Sequence, residues 1–182
     1  MDTIPPQLVL ILGGCRSGKS RFALELGGRL GRRKMFMATA EPFDDEMRQR
    51  IAKHRADRGL DWQTVEAPIA LSEALRDHVS GVDVVVLDCL TIWLGNLLCP
   101  EHQPSRWQAG AIPSLLAELG RRCAHVVVVS NEVGLGIVPD NALTRQFRDE
   151  QGRLNQQVAA IADCVVFMAA GLPMILKGKL PS

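Results

Sequence analysis

The apolar residues of this chain fall into short unbroken runs separated by longer stretches with helical spacing. Strand-like runs occupy 8–12, 35–39, 62–66, 83–87, 125–130 and 164–169, and a closing strand at 173–177 follows Gly171-Leu172-Pro173. Between them the spacing predicts helices near 19–30, 44–58, 71–79, 91–98, 106–122 and 142–162, with Pro113 and Gly152 as weak points in the last two. The runs at 83–87 and 125–130 are almost pure valine, so both of their faces must be covered. This pattern predicts an α/β fold: a mostly parallel sheet of about seven strands with helices on both faces. No repeat, low-complexity tract or linker divides residues 1–182, which read as one domain; the most loop-like interior stretch is 99–106.

The first strand runs into Gly13-Gly14-Cys15-Arg16-Ser17-Gly18-Lys19-Ser20, and a helical segment follows. Strand, glycine-rich turn and helix in that order are the context a phosphate-binding loop requires, and the match to G-x-x-x-x-G-K-[ST] is complete. Backbone N–H groups in such a turn point inward at a phosphate chain, and the helix N-terminus adds its positive end. Lys19 would reach the outer phosphates, and the Ser20 hydroxyl would ligate Mg²⁺. The bland alternative is a glycine turn with a solvated lysine.

The run Val82 to Leu87 ends in Asp88, the way a Walker B carboxylate is delivered to a Mg²⁺ shell; a helix cap near Thr91 would explain the same residue. The fifth strand likewise ends in Ser130-Asn131-Glu132, before the glycine-rich Val133-Gly134-Leu135-Gly136. Ligands gather at the carboxyl ends of strands in open α/β sheets, so these polar groups should face one crevice.

Residues 44–58 begin acidic and end basic, which suits a helix dipole. Met47, Ile51, His54 and Arg58 share a face, with Arg55 beside His54. A core or capping histidine is one reading. The other is a nucleophile: a neutral imidazole flanked by guanidinium groups can attack phosphorus and form a nucleotidyl-histidine.

Taken together, the blocks Gly13 to Ser20, Ala38-Thr39-Ala40, Asp44 to Met47 with Arg50-Ile51 and His54-Arg55, Trp62 with Glu66, Asp88 to Thr91 with Asn96 to Leu98, and Asn131 to Pro139 resemble one family. It is the bifunctional adenosylcobinamide kinase / adenosylcobinamide-phosphate guanylyltransferase family of cobalamin biosynthesis. The likeness continues through Arg145, Phe147-Arg148-Asp149, Gly152-Arg153, Asn155-Gln156 and Ala162-Asp163 to Gly171 and Lys177. It implies a P-loop, RecA-like fold and two reactions. Adenosylcobinamide is phosphorylated by a nucleoside triphosphate, GTP or ATP; GMP is then transferred from GTP to adenosylcobinamide-phosphate through a covalent guanylyl-histidine. His54 matches the guanylylated position. Gly13, Gly14, Cys15, Arg16, Ser17, Gly18, Lys19, Ser20, Ala38, Thr39, Ala40, Arg55, Ala56, Asp57, Arg58, Glu66 and Asp88 match positions that contact GTP. Some relatives carry two adjacent histidines where this chain has Lys53-His54, which leaves His54 alone as nucleophile in that helix. Cys15 stands where alanine is frequent and Gly59 where proline is. The resemblance also implies a homotrimer.

Composition narrows the rest. A net charge of +1 gives no argument for nucleic acid or an acidic membrane as partner. Five cysteines without CxxC spacing, three of them beside strand-like runs, point to reduced buried thiols rather than disulfides or zinc. No stretch approaches the length of a spanning helix and the first residues lack a leader pattern, so a cytoplasmic protein is expected. Three Trp, five Phe and no Tyr offer no aromatic platform for a corrinoid.

Overall fold

The computed structural model describes residues 5–42, 45, 48, 49, 52, 55, 56, 59, 61–98 and 108–181. Its elements run β1 (Leu8–Gly13), α1 (Lys19–Leu30), β2 (Lys34–Ala38), β3 (Trp62–Glu66), α2 (Leu71–His78), β4 (Val84–Asp88), α3 (Leu90–Leu98), α4 (Gln108–Gly120), β5 (His125–Val129), α5 (Ala142–Ile161), β6 (Cys164–Ala169) and β7 (Leu172–Lys177). Among the described positions between β2 and β3, Asp45, Arg48, Gln49, Ala52, Arg55 and Ala56 are helical. Helix α4 continues across Pro113 because Leu115 and Leu119 bury its inner face, and α5 runs unbroken through Gly152.

All seven strands join one sheet in the order β3-β2-β4-β5-β1-β6-β7. Six are parallel, and β7 closes the edge antiparallel to β6. The valine-rich β4 and β5 are central, as their two-sided apolar character requires. Each strand's alternation divides its side chains between two layers. Leu8, Leu10, Leu12, Val85, Leu87, Val126 and Val128 meet α2, α3, α4 and α5, where Trp93, Leu97, Leu115 and Leu154 complete the core. Val9, Ile11, Val84, Val86, Val127 and Val129 meet α1 through Ala23 and Leu26. Both faces carry helices, but unequally.

Among the described cysteines, Cys89 and Cys164 are buried, whereas Cys15 and Cys123 are exposed. The expectation of buried thiols therefore fails at two positions. Cys15 lies in the open part of the glycine turn and Cys123 in the turn before β5, and neither turn has a covering layer.

At the amino edge, the His125 ring nitrogen Nδ1 accepts the backbone N–H of Gln7 at 3.2 Å. Burial lowers the ring's pKa, against an opposing pull from Asp83. With a depressed folded pKa, the unfolded chain takes up the proton first, so this contribution is present above the ordinary value of about 6.5 and lost as pH falls below it. A thermal melt followed from about pH 7.5 to about pH 5.5 should fall more steeply for the parent than for His125→Gln; parallel curves would remove His125 as a cause of acid destabilisation.

Candidate functional site

The site is built where β1 ends. Gly13 closes the strand at φ +150°, and a Cβ there would lie 2.5 Å from the Met168 carbonyl oxygen of β6 and 2.8 Å from Ser17 Oγ. Only a glycine lets the chain leave the sheet so close to its neighbour. The turn then passes through Arg16 at φ 55° and Gly18 at φ 95°, and α1 begins at Lys19. Its Ser17 N–H donates to the Gly14 carbonyl at 3.3 Å, and the Ser17 carbonyl accepts from Gly171 N–H at 3.1 Å.

Lys19 is only 6% exposed. Its ammonium reaches back across the turn to the Gly14 carbonyl at 2.6 Å and Ser17 Oγ at 3.4 Å. A solvated lysine is thereby excluded: the charge is drawn inside the loop at its own carbonyl, where phosphate oxygens would compete for it. Gly18 supplies no side-chain cap to α1, and the first turn carries no acidic residue. The first N–H groups of this helix are therefore available to an anion. Gly14 is exposed, and a Cβ built on it meets nothing within 4 Å. The turn has open space on the side a phosphate would enter.

Parallel register fixes what stands beside the loop. Glu66, Ala38, Asp88, Val129 and Ile11 form one rank across β3, β2, β4, β5 and β1. Asp88 alternates with Val84 and Val86 and so faces the α1 side of the sheet, as the loop does. It is two strand spacings from β1, about 10 Å. Burial first, then the Asp88 carboxylate, push the Cys89 thiol up to about 12, while Lys19 pulls the other way. Lys19 and Asp88 thus bring opposite charges to the same neighbourhood. Ser20 is half-buried at the start of α1.

The two groups expected to hold Mg²⁺ fit that ion in kind. A hydroxyl and a carboxylate are hard oxygen donors, and Mg²⁺ takes one or two of these with phosphate oxygens and water rather than a protein cage. Among the described residues no cluster of three or more His, Cys, Asp or Glu side chains forms such a cage.

Other expected positions behave differently. Thr39 is fully buried: its hydroxyl donates to the Cys89 carbonyl and accepts the Cys89 N–H, both at 2.8 Å. Asn96 Nδ2 donates to the Thr39 and Pro68 carbonyls at 2.8 and 2.9 Å. The 38–40 turn is thereby clamped against the end of β4, its threonine spent on bracing. Glu66 lies four spacings from β1, roughly 19 Å, and is ion-paired with Arg55. The resemblance put both among the GTP-contacting positions; the register sets Glu66 at the far end of the edge that carries the loop, with the Thr39 turn between them. Ala56 is exposed. His54, Asp57 and Arg58 lie outside the described residues.

Two features escaped the sequence. Strand β5 separates β1 from β4, and its pairing with β1 runs past its end: Ser130 N–H donates to the Ile11 carbonyl and Glu132 N–H to the Gly13 carbonyl, each at 3.0 Å. A cleft of about 500 Å³ lies at the opposite, amino edge, lined by Arg32, Arg33, Lys34, Asp61, His78 and Gly81. Two of its cations are answered within the fold, Arg33 by Asp83 at 2.6 Å and Lys34 by Asp61 at 3.7 Å. It is also remote from the phosphate loop, at the opposite ends of the strands.

Gly13 and Gly14 separate folding from binding. Gly13→Ala should cost about 2 kcal/mol or more of stability through clash and strain. Gly14→Ala should stay within about 0.5 kcal/mol of the parent, yet weaken nucleoside triphosphate binding about tenfold by filling the cradle. Thermal melts and titration calorimetry read both; equal affinity in Gly14→Ala would show that phosphates do not enter there.

Comparison with known proteins agrees with this geometry. The family model for cobinamide kinase / cobinamide phosphate guanyltransferase matches residues 9–176. A bifunctional adenosylcobalamin biosynthesis protein of Pseudomonas aeruginosa is 46% identical over 171 residues, covering 93% of this chain and 97% of that protein. Its counterpart in Escherichia coli is 40% identical over 181 residues, covering 93% and 99%. Among solved structures, the RadB recombinase superposes with a TM-score of 0.55 at 16% identity over 98% of this chain and 84% of its own. An ATPase of a type III secretion system gives 0.52 at 12%, over 94% and 57%. Those two likenesses concern the fold alone, a RecA-like P-loop architecture. With a glycine turn closed on its own lysine, an aspartate-ended strand on the same side of the sheet and a family match over nearly its whole length, the chain belongs to the cobinamide kinase / cobinamide phosphate guanyltransferase family.

Proposed function

We propose that this protein phosphorylates adenosylcobinamide and then transfers GMP from GTP to the product through a covalent intermediate on His54. The observation that carries the reading is Lys19, buried at the mouth of a glycine turn in a chain of this family. In the first step the acceptor hydroxyl oxygen bonds to the γ-phosphorus of GTP or ATP as its proton passes to solvent, the β–γ bridging bond breaks, and the nucleoside diphosphate leaves with the electron pair. Residues 13–20 hold the phosphate chain through backbone N–H groups, and Lys19 leaves the Gly14 carbonyl for the outer phosphate oxygens. Mg²⁺, held by Ser20 and Asp88, would neutralise phosphate charge.

In the second step a neutral His54 nitrogen bonds to the α-phosphorus of GTP and pyrophosphate departs. The phosphate of adenosylcobinamide-phosphate then attacks the same phosphorus and frees the imidazole, giving adenosylcobinamide-GDP. Arg55 and Arg58 stabilise the charge that develops on the phosphoryl oxygens. Ala38, Thr39, Ala40, Ala56, Asp57 and Glu66 complete the nucleotide site, with Thr39 acting through the Cys89 backbone. Leu135, Ile137 and Val138 lie exposed on the loop after Glu132 and give a large acceptor an apolar surface near the turn.

We further take the whole chain as one catalytic domain that works as a cytoplasmic homotrimer. Exposed apolar side chains along the β7 edge, Leu172, Met174, Ile175 and Leu176, support association. Among the described residues no helix is long and apolar enough to cross a membrane.

Intact-mass spectrometry after incubation with GTP and Mg²⁺ tests the covalent step. The parent should gain one GMP and His54→Ala should gain none, while His54→Ala still phosphorylates adenosylcobinamide. Lys19→Ala should weaken GTP binding by roughly 1.5–3 kcal/mol and lose the kinase reaction. Adduct formation should decline with acidification, because a protonated imidazole has no lone pair with which to attack phosphorus. A GMP adduct persisting in His54→Ala, or none in the parent, would overturn the assignment.

A further inference from the structure

The geometry points to Asn131 as the residue that donates its side-chain amide to the terminal phosphate of the bound nucleotide, and so distinguishes a triphosphate from a diphosphate. This rests on the phosphate-loop reading above and extends it to a residue outside the loop.

The argument begins with the strand order. A triphosphate cradled by residues 14–20, with Lys19 at its outer phosphates and a metal near Asp88, has its terminal phosphate in the interval between the ends of β1 and β4. The element occupying that interval is β5. Because Ser130 and Glu132 both donate to β1, the chain stays extended for three residues past Val129 and alternation continues. Ser130 points to the α5 layer, where its hydroxyl donates to Asn155 Oδ1 at 2.7 Å and accepts from Gln151 Nε2 at 2.9 Å. Asn131 therefore points the other way, to the α1 side shared by Asp88 and the phosphate loop.

Its backbone is held on both sides. The Asn131 N–H donates to Thr91 Oγ1 at 2.8 Å, and its carbonyl accepts from Asn155 Nδ2 at 3.1 Å. Among the described residues its side chain has no partner, and the residue is half-buried at the mouth of the crevice. The segment is a rigid mount, braced by the buried Ser130, Gln151 and Asn155 trio, that presents one amide beside the loop. A neutral amide suits the task. It donates to phosphate oxygens without competing with Lys19 for charge, and a diphosphate would not reach it.

Calorimetric titration with GTP and with GDP, both with Mg²⁺, tests this on the parent, Asn131→Ala and Asn131→Asp. Asn131→Ala should weaken GTP binding about tenfold and leave GDP within about twofold. The near-isosteric Asn131→Asp should weaken GTP further, because a carboxylate repels the terminal phosphate, again sparing GDP. It decides the matter if the alanine variant does not fold. A parent that binds neither nucleotide overturns the phosphate-loop reading and this inference with it. A parent that binds both, with the same ratio of GTP to GDP affinity in Asn131→Asp, overturns this inference alone.

Discussion

Everything at the working edge of this molecule depends on how β1 ends. Leu8 to Ile11 are fully buried, and β1 is hydrogen-bonded to a parallel neighbour on each side. A strand so enclosed can stop only by turning out of the sheet beside the backbone of β6, and Gly13 is the residue that permits it. The turn that results places Lys19 over the loop, starts α1 with uncapped N–H groups, and fixes the position against which β5 and β4 present their polar ends. Burial on two faces thus sets the location of the chemistry as well as the stability of the sheet.

Much of this was legible in the residues, because the relevant signals are local. Valine-rich runs declared strands covered on both faces, the loop declared itself through G-x-x-x-x-G-K-S, and Asp88 ended a strand-like run. What local signals lack is lateral order. Nothing in the run 125–130 says that β5 lies between β1 and β4, yet that insertion puts two strand spacings between Asp88 and the loop strand and sends Asn131 into the gap. Nor does any local signal say that Glu66, read as a GTP-contacting position, stands four strands from the phosphate-loop strand and pairs with Arg55. Thr39 matched a nucleotide-contacting position, and only tertiary contacts reveal its hydroxyl committed to Cys89. Cys15 read as a small buried residue and emerged exposed, because a turn built to admit a ligand has no layer over it.

The division of the carboxyl edge has a chemical consequence. Attack at the γ-phosphorus needs the triphosphate fixed at the loop, whereas attack at the α-phosphorus needs a nucleophile and cations near the nucleoside end. A rank running from Ile11 to Glu66 sets the glycine turn at β1 and the Arg55–Glu66 pair at β3 along one edge. One scaffold can serve both reactions in this way without rebuilding its core.

The central claim is that nucleotide binds at the carboxyl edge, around the end of β1, rather than in the cleft at the amino edge. Hydrogen–deuterium exchange with and without GTP and Mg²⁺ measures this directly. The account predicts slower exchange in residues 14–20 and 130–132, with 31–34 and 78–82 unchanged. Protection confined to 31–34 and 78–82, with the loop exchanging as before, would contradict it.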